Sequence, residues 1–166
     1  VELIVMLSQK ARYALKALFA LAARPPGETV MIAEIAAEAR VPRKFLEQIL
    51  LELKKRGIVH SHRGKHGGYG LGRPPDKISF AEVIRVIDGP LALAPCASVT
   101  AYRRCDDCVD EATCTLHRVL VAVRDATADI LENRTLVEAL TPPAAKKSKR
   151  RTASGGGTLA TRVPVP

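Results

Sequence analysis

The sequence predicts a mainly α fold that carries one small β-hairpin and a long helix near its end. Three observations predict it. Apolar residues recur at three- and four-residue intervals through most of residues 8–87. A glycine-rich stretch, Gly64 to Gly68, separates two short strand-like runs. A long aliphatic stripe follows a loop dense in cysteine.

Taken in order, Ser8 can cap a first helix, because its hydroxyl can accept from a backbone N–H that lacks an intrahelical partner. Ala11, Leu15, Leu18, Phe19 and Ala22 give that helix its apolar face, and Arg24-Pro25-Pro26-Gly27 stops it. A second helix over 31–39 places Ile32, Ile35 and Ala36 on one side. After the tight connection Arg40-Val41, a third helix begins at Pro42, where the missing N–H costs nothing. Phe45, Leu46, Ile49, Leu50 and Leu53 form its expected buried face, and Gly57 its exit.

Ile58-Val59-His60-Ser61 then reads as a strand, Gly64 to Gly68 as a turn, and Tyr69-Gly70-Leu71 as the returning strand. Two helices in tight succession followed by such a hairpin make a winged helix-turn-helix. Ser79-Phe80-Ala81-Glu82 has capping-box spacing and opens a fourth helix, ended by Gly89-Pro90. The long helix is expected over 110–133, with Leu116, Val119, Leu120, Val123, Ala126, Ile130 and Leu131 as its stripe. That length beside a small domain suggests packing against a second copy. The expected organisation is a winged helix-turn-helix DNA-binding domain over 6–90, a cysteine loop over 91–114, a dimerisation helix over 110–140 and a disordered basic tail over 142–166.

Charge supports a polyanionic partner through its placement. The chain carries +9 overall, but residues 1–89 hold +6, residues 90–141 hold −3, and residues 142–166 hold +6. The tail run Lys146-Lys147-Ser148-Lys149-Arg150-Arg151 has no apolar periodicity and can add only non-specific affinity for DNA. On the helix and wing, Arg43 and Lys44 are candidates for base or phosphate contact. Gln48 can pair with adenine and Glu47 can accept from cytosine. Arg63, Lys65, His66 and Gly67 suit approach to the backbone at the wing tip, and Tyr69 either contacts a phosphate or packs the wing. No Gly-Lys-Ser/Thr loop and no dinucleotide fingerprint is present, which argues against a nucleotide-binding enzyme.

The four cysteines, Cys96, Cys105, Cys108 and Cys114, all lie in one short stretch, with His117 a turn beyond. Scattered core cysteines would not cluster so, and nothing suggests a disulfide-stapled secreted domain. Thiolates with an imidazole select an iron–sulfur cluster or zinc. Spacing alone does not choose between them. Cys105 and Cys108 are close enough in sequence to chelate one metal. No apolar run approaches the ~20 residues of a membrane span, and Val1 to Val5 are too short and acidic for a secretory signal, so a cytoplasmic protein is expected.

These blocks together resemble the Rrf-type family of bacterial winged-helix transcription regulators, a group of IscR-, NsrR- and RirA-like iron–sulfur sensors. The resemblance rests on Leu7-Ser8-x-Lys10-Ala11-Arg12-Tyr13-Ala14, Phe45-Leu46-Glu47-Gln48-Ile49-Leu50, Arg63-Gly64-x-x-Gly67-Gly68-Tyr69-x-Leu71, Val83-Ile84-Arg85-x-Ile87-Asp88-Gly89-Pro90 and the cysteine loop. It implies a homodimer on a double-stranded operator, acting as a repressor and not as an enzyme, and carrying a [2Fe–2S] or [4Fe–4S] cluster. Cys108, Cys114 and His117 match the family's later ligands. The first is open between Cys96 and Cys105, and four-cysteine ligation without His117 is an alternative. Two rival readings are a winged-helix protein with structural zinc or no metal, and a cluster-bearing electron-transfer protein.

Overall fold

A computed structural model describes residues 7–64 and 67–141 of the chain. Helix α1 (Gln9–Ala22) opens as expected: the Ser8 hydroxyl accepts from the Ala11 N–H at 2.9 Å. Its buried face of Ala11, Ala14, Leu15, Leu18 and Leu21 is the spine against which the rest packs. Helices α2 (Ile32–Ala39) and α3 (Arg43–Lys55) follow, each starting one residue later than the periodicity suggested. Between them Arg40 adopts the left-handed conformation at φ 53°, which reverses the chain and lets buried Val41 donate to the Ala36 carbonyl at 2.9 Å.

Leu46, Ile49, Leu50 and Leu53 of α3 are fully buried. Phe45 is not, and this corrects the sequence reading: the ring is 56% exposed. One residue is about 100° of helical rotation, so a helix that buries the 46–49–50–53 stripe turns Phe45 away from the core.

Strands β1 (Val59–His62) and β2 (Gly68–Leu71) pair antiparallel, from Val59 opposite Leu71 to His62 opposite Gly68. Val30 adds an unforeseen third rung, exchanging both backbone hydrogen bonds with Tyr69 at 2.9 Å. That close approach requires glycine at 68, since a Cβ there would stand 2.4 Å from the Val30 carbonyl oxygen. The hairpin is thereby stitched to the segment leading into α2, and Tyr69 packs on the core.

Helix α4 (Phe80–Ile87) starts on its predicted cap, Ser79 accepting from the Glu82 N–H at 3.2 Å. Ser8 reaches across to the Asp88 carboxylate through both its N–H and its hydroxyl, joining the start of α1 to the end of α4. Helix α5 (Thr115–Glu132) begins five residues later than expected. Asp110 instead caps a separate turn, accepting from Ala112 N–H and the Thr113 hydroxyl, and Cys114 restarts the helix as its N-cap.

A larger difference lies beyond it. Residues expected to prolong this helix to 140 leave it after Asn133 and return to the N-terminal helices as α6 (Leu136–Leu140). Phe80 N–H donates to the Arg134 carbonyl, Leu136 N–H to the Ile78 carbonyl, and the Leu136 side chain is fully buried in the main core. Among the described residues no helix is long and apolar enough to cross a membrane.

Candidate functional site

Two surfaces carry the chemistry. On the first, α3 presents Arg43, Lys44, Glu47 and Gln48 to solvent, with exposed Phe45 beside them. The buried stripe of α3 fixes this face, so these side chains point outward by geometry. Arg43 Nε donates to Glu47 Oε1 at 3.3 Å across one turn. Arg63 and Gly64 stand exposed at the wing tip, while Lys65 and His66 lie outside the described residues. Gly67 closes the turn by donating to the Gly64 carbonyl at 2.9 Å, and a Cβ on it would strike the His62 carbonyl oxygen at 2.6 Å. Lys54 ties α3 to β1 through the Ser61 hydroxyl at 2.6 Å, which sets the wing relative to the helix.

On the second surface, Cys96, Cys105, Cys108, Cys114 and His117 all line one pocket of about 290 Å³. Cys96 is buried on the short 3₁₀ turn Pro95–Ala97, and the other four are half-buried. Cys105 and Cys108 share a tight turn, Cys108 N–H donating to the Cys105 carbonyl at 3.2 Å. Hydrogen bonding with the adjacent Cys96 thiol, and then burial, push the Cys105 thiol above its usual range. Cys114 Sγ accepts from the His117 N–H at 3.4 Å, as a helix N-cap does. All four cysteines carry free thiols.

The pocket also holds a carboxylate that the sequence reading missed. Cys96, Glu111 and His117 offer donor atoms that all lie within 4.8 Å of one another. His117 Nδ1 and Glu111 Oε1 are buried and face each other at 3.4 Å, yet neither makes a hydrogen bond among the described residues. Buried polar atoms are ordinarily paired, and a metal is the partner that a thiolate, an imidazole and a carboxylate share. A thiol-rich loop with a buried imidazole nitrogen that makes no hydrogen bond therefore fits an iron–sulfur cluster or a zinc ion in donor chemistry. The signal for Glu111 in the sequence was its place three residues ahead of Cys114, within the loop.

Both ends of the loop are fastened to α5. Cys114 caps it, and Arg124 of α5 donates to the Ala97 carbonyl at 2.7 Å, next to Cys96. Helix α5 then meets α4 through the Arg85–Glu132 ion pair. No residue of α5 is fully buried. Leu120, Val123 and Leu131 are half-covered, while Leu116, Val119 and Ile130 are more than half exposed.

Comparison with known proteins agrees with this architecture. The sequence model of the Rrf2 family, described as an iron-dependent transcriptional regulator, matches residues 7–142. An rrf2-like HTH-type transcriptional regulator of Rhodobacter capsulatus is 44% identical over 146 residues, which is 85% of this chain and 97% of that protein. An HTH-type transcriptional regulator of Mycobacterium tuberculosis is 39% identical over 132 residues, 80% of this chain and 79% of the other. Among solved structures, CymR, the global cysteine regulator of B. subtilis, superposes with a TM-score of 0.67 at 28% identity, over 84% of this chain and all of that one. T. potens IscR gives 0.61 at 29% identity, over 84% and 87%.

Proposed function

This chain belongs to the Rrf2 family of transcriptional regulators, with the winged helix that binds DNA, and from that premise we propose that it is a homodimeric repressor whose operator affinity is set by an iron–sulfur cluster. The observation that carries the cluster reading is one pocket lined by all four thiols and His117, whose Nδ1 is buried and makes no hydrogen bond among the described residues. Cys108, Cys114 and His117 are three of the ligands, and Cys96 is favoured over Cys105 for the remaining position. A bound cluster supplies iron that can be lost, oxidised or nitrosylated. The chain's own residues do the rest.

Ligation fixes Cys96 and Cys114 relative to each other, and these flank the two fastenings of the loop to α5. Loss of ligation frees the loop, because thiolate sites hold their fold only with the metal in place. The exposed stripe of Leu116, Val119 and Ile130 supports packing of α5 on a second copy, which sets the spacing of two reading heads on a two-fold symmetric operator. Phe45 joins Gln48 on the reading face as a contact for a thymine methyl group.

A second reading has its own support. CymR is by its description the global cysteine regulator of B. subtilis, and likeness over the whole of its length supports a regulator that responds to cysteine without a cluster. One experiment separates the two. Protein purified without oxygen is analysed for iron, inorganic sulfide and zinc, and its affinity for a duplex selected from a random pool is compared with that of metal-free protein at one salt concentration. The cluster reading expects iron with sulfide and a ~5–150-fold difference in affinity, corresponding to a coupling of ~1–3 kcal/mol. Equal affinities would remove the sensing role.

A further inference from the structure

Glu111 takes no part in the ligand set above, yet its environment is that of a ligand. We infer that Cys96, Glu111 and His117 bind one and the same metal atom, through one sulfur, one oxygen and one nitrogen, with Tyr102 positioning the carboxylate. The inference rests on the metal-sensor reading of the loop and names an oxygen donor within it.

The distances carry the first part. Nitrogen and oxygen donors ~2.0–2.2 Å from a tetrahedral centre stand ~3.3–3.6 Å apart. His117 Nδ1 and Glu111 Oε1 stand 3.4 Å apart. They already form one edge of such a tetrahedron, and they do so without hydrogen bonding to each other. Cys96 Sγ lies within 4.8 Å of both and is carried on a buried turn. Cys105, whose thiol adjoins that of Cys96, offers a further donor.

The second part follows from how the carboxylate is shared. Tyr102 donates its hydroxyl to Glu111 Oε2 at 2.7 Å, which leaves Oε1 as the oxygen turned to the metal. A hydrogen bond to the far oxygen of a ligating carboxylate is the usual way such a ligand is held in orientation. Asp110, the neighbouring acid, is unavailable because its carboxylate is taken by Thr113 and Ala112. Sulfur, nitrogen and oxygen donors together suit a divalent ion of borderline softness, zinc or ferrous iron.

The test uses the full chain, reduced and metal-free, titrated anaerobically with cobalt(II) alone and followed by its visible ligand-field bands. The expected result is one equivalent bound tetrahedrally by the unaltered protein. Glu111→Gln should weaken binding at least ~10-fold and shift the bands, because an anionic oxygen leaves the coordination sphere. Tyr102→Phe should weaken it ~10–100-fold with the bands nearly in place. Glu138→Gln, on α6, should change neither.

Unaltered affinity and bands in Glu111→Gln overturn the assignment, as does failure of the parent chain to bind cobalt. Loading with iron and sulfide distinguishes a lone ion from a cluster iron, since only the latter retains inorganic sulfide. If Glu111→Gln is silent while operator binding still follows the metal state, the ligand assignment falls and the sensor reading stands. If Glu111→Gln alters cobalt binding while operator affinity ignores the metal, the sensor reading falls and the ligand assignment stands.

Discussion

Arg63 and Gln48 are both exposed on the face that carries the wing and the outer side of α3, yet the two positions have different work to do, and single substitutions separate them. Arg63→Ala removes one phosphate contact. For duplex DNA each such contact contributes ~0.9 to the slope of log affinity against log salt. Over a fourfold rise in salt, from ~50 to ~200 mM, the parent protein should therefore lose ~3.5-fold more affinity than Arg63→Ala. The loss at any one salt concentration should be the same for matched and mismatched duplexes. Gln48→Ala should leave the slope alone and relax preference at one base pair per half-site, costing ~1–3 kcal/mol, or ~5–150-fold, of discrimination. Fluorescence anisotropy across a salt series, on the selected duplex and its single-base variants, measures both quantities. A Gln48→Ala protein that weakens on every duplex alike, or an Arg63→Ala protein with the parent slope, would refute this division of labour.

Other expectations test the remaining parts. Cys108→Ala and Cys114→Ala should each abolish the cluster, and Cys96→Ala should impair it more than Cys105→Ala; iron and sulfide content reports this, and the reverse order of the last two would show that the Cys105/Cys108 turn supplies the ligands. Leu136→Ala should cost ~2–5 kcal/mol because the side chain is fully buried in the main core; a loss under ~1 kcal/mol in chemical denaturation would mean α6 does not dock there. Val119→Glu with Ile130→Glu should yield monomers in sedimentation while leaving the metal content intact. Arg124→Ala should retain the cluster but reduce its effect on operator binding, and an undiminished effect would locate the coupling elsewhere.

The helical frame was legible because its determinants are local. Ser8 and Ser79 cap where a hydroxyl three residues ahead of a free N–H must, and the stripe Leu46–Ile49–Leu50–Leu53 fixed the orientation of α3. Phe45 was misjudged because hydrophobicity was weighed ahead of phase: the ring lies off the stripe by one residue. The start of α5 was obscured because Asp110 and Cys114 both make cap-like hydrogen bonds, and only the fold shows that the first closes a separate turn. Val30 and α6 could not be read at all. Their places depend on partners distant in sequence, Tyr69 for one and Ile78 with Phe80 for the other. At the site, cysteine spacing declared the thiols, whereas Glu111 looked like any solvated acid until its oxygen was seen buried beside His117.

The return of α6 bears on how a loop far from the DNA face could act upon it. Helix α5 is held at its beginning by the cysteine loop and at its end by a chain that re-enters the core under α1. At its last residue it is also coupled to α4 through Arg85–Glu132, and α4 packs on both α1 and α3. A helix free at its far end would absorb a change in the loop by swinging. A helix clamped at both ends passes that change to its contacts, which here are α4 and whatever covers its own exposed aliphatic stripe. On the proposed reading, closing or opening the thiolate loop would act at the two contacts that determine where α3 stands relative to its counterpart in a second copy. Small displacements suffice there, since the two recognition helices of a two-fold symmetric reader must match half-sites ~34–36 Å apart.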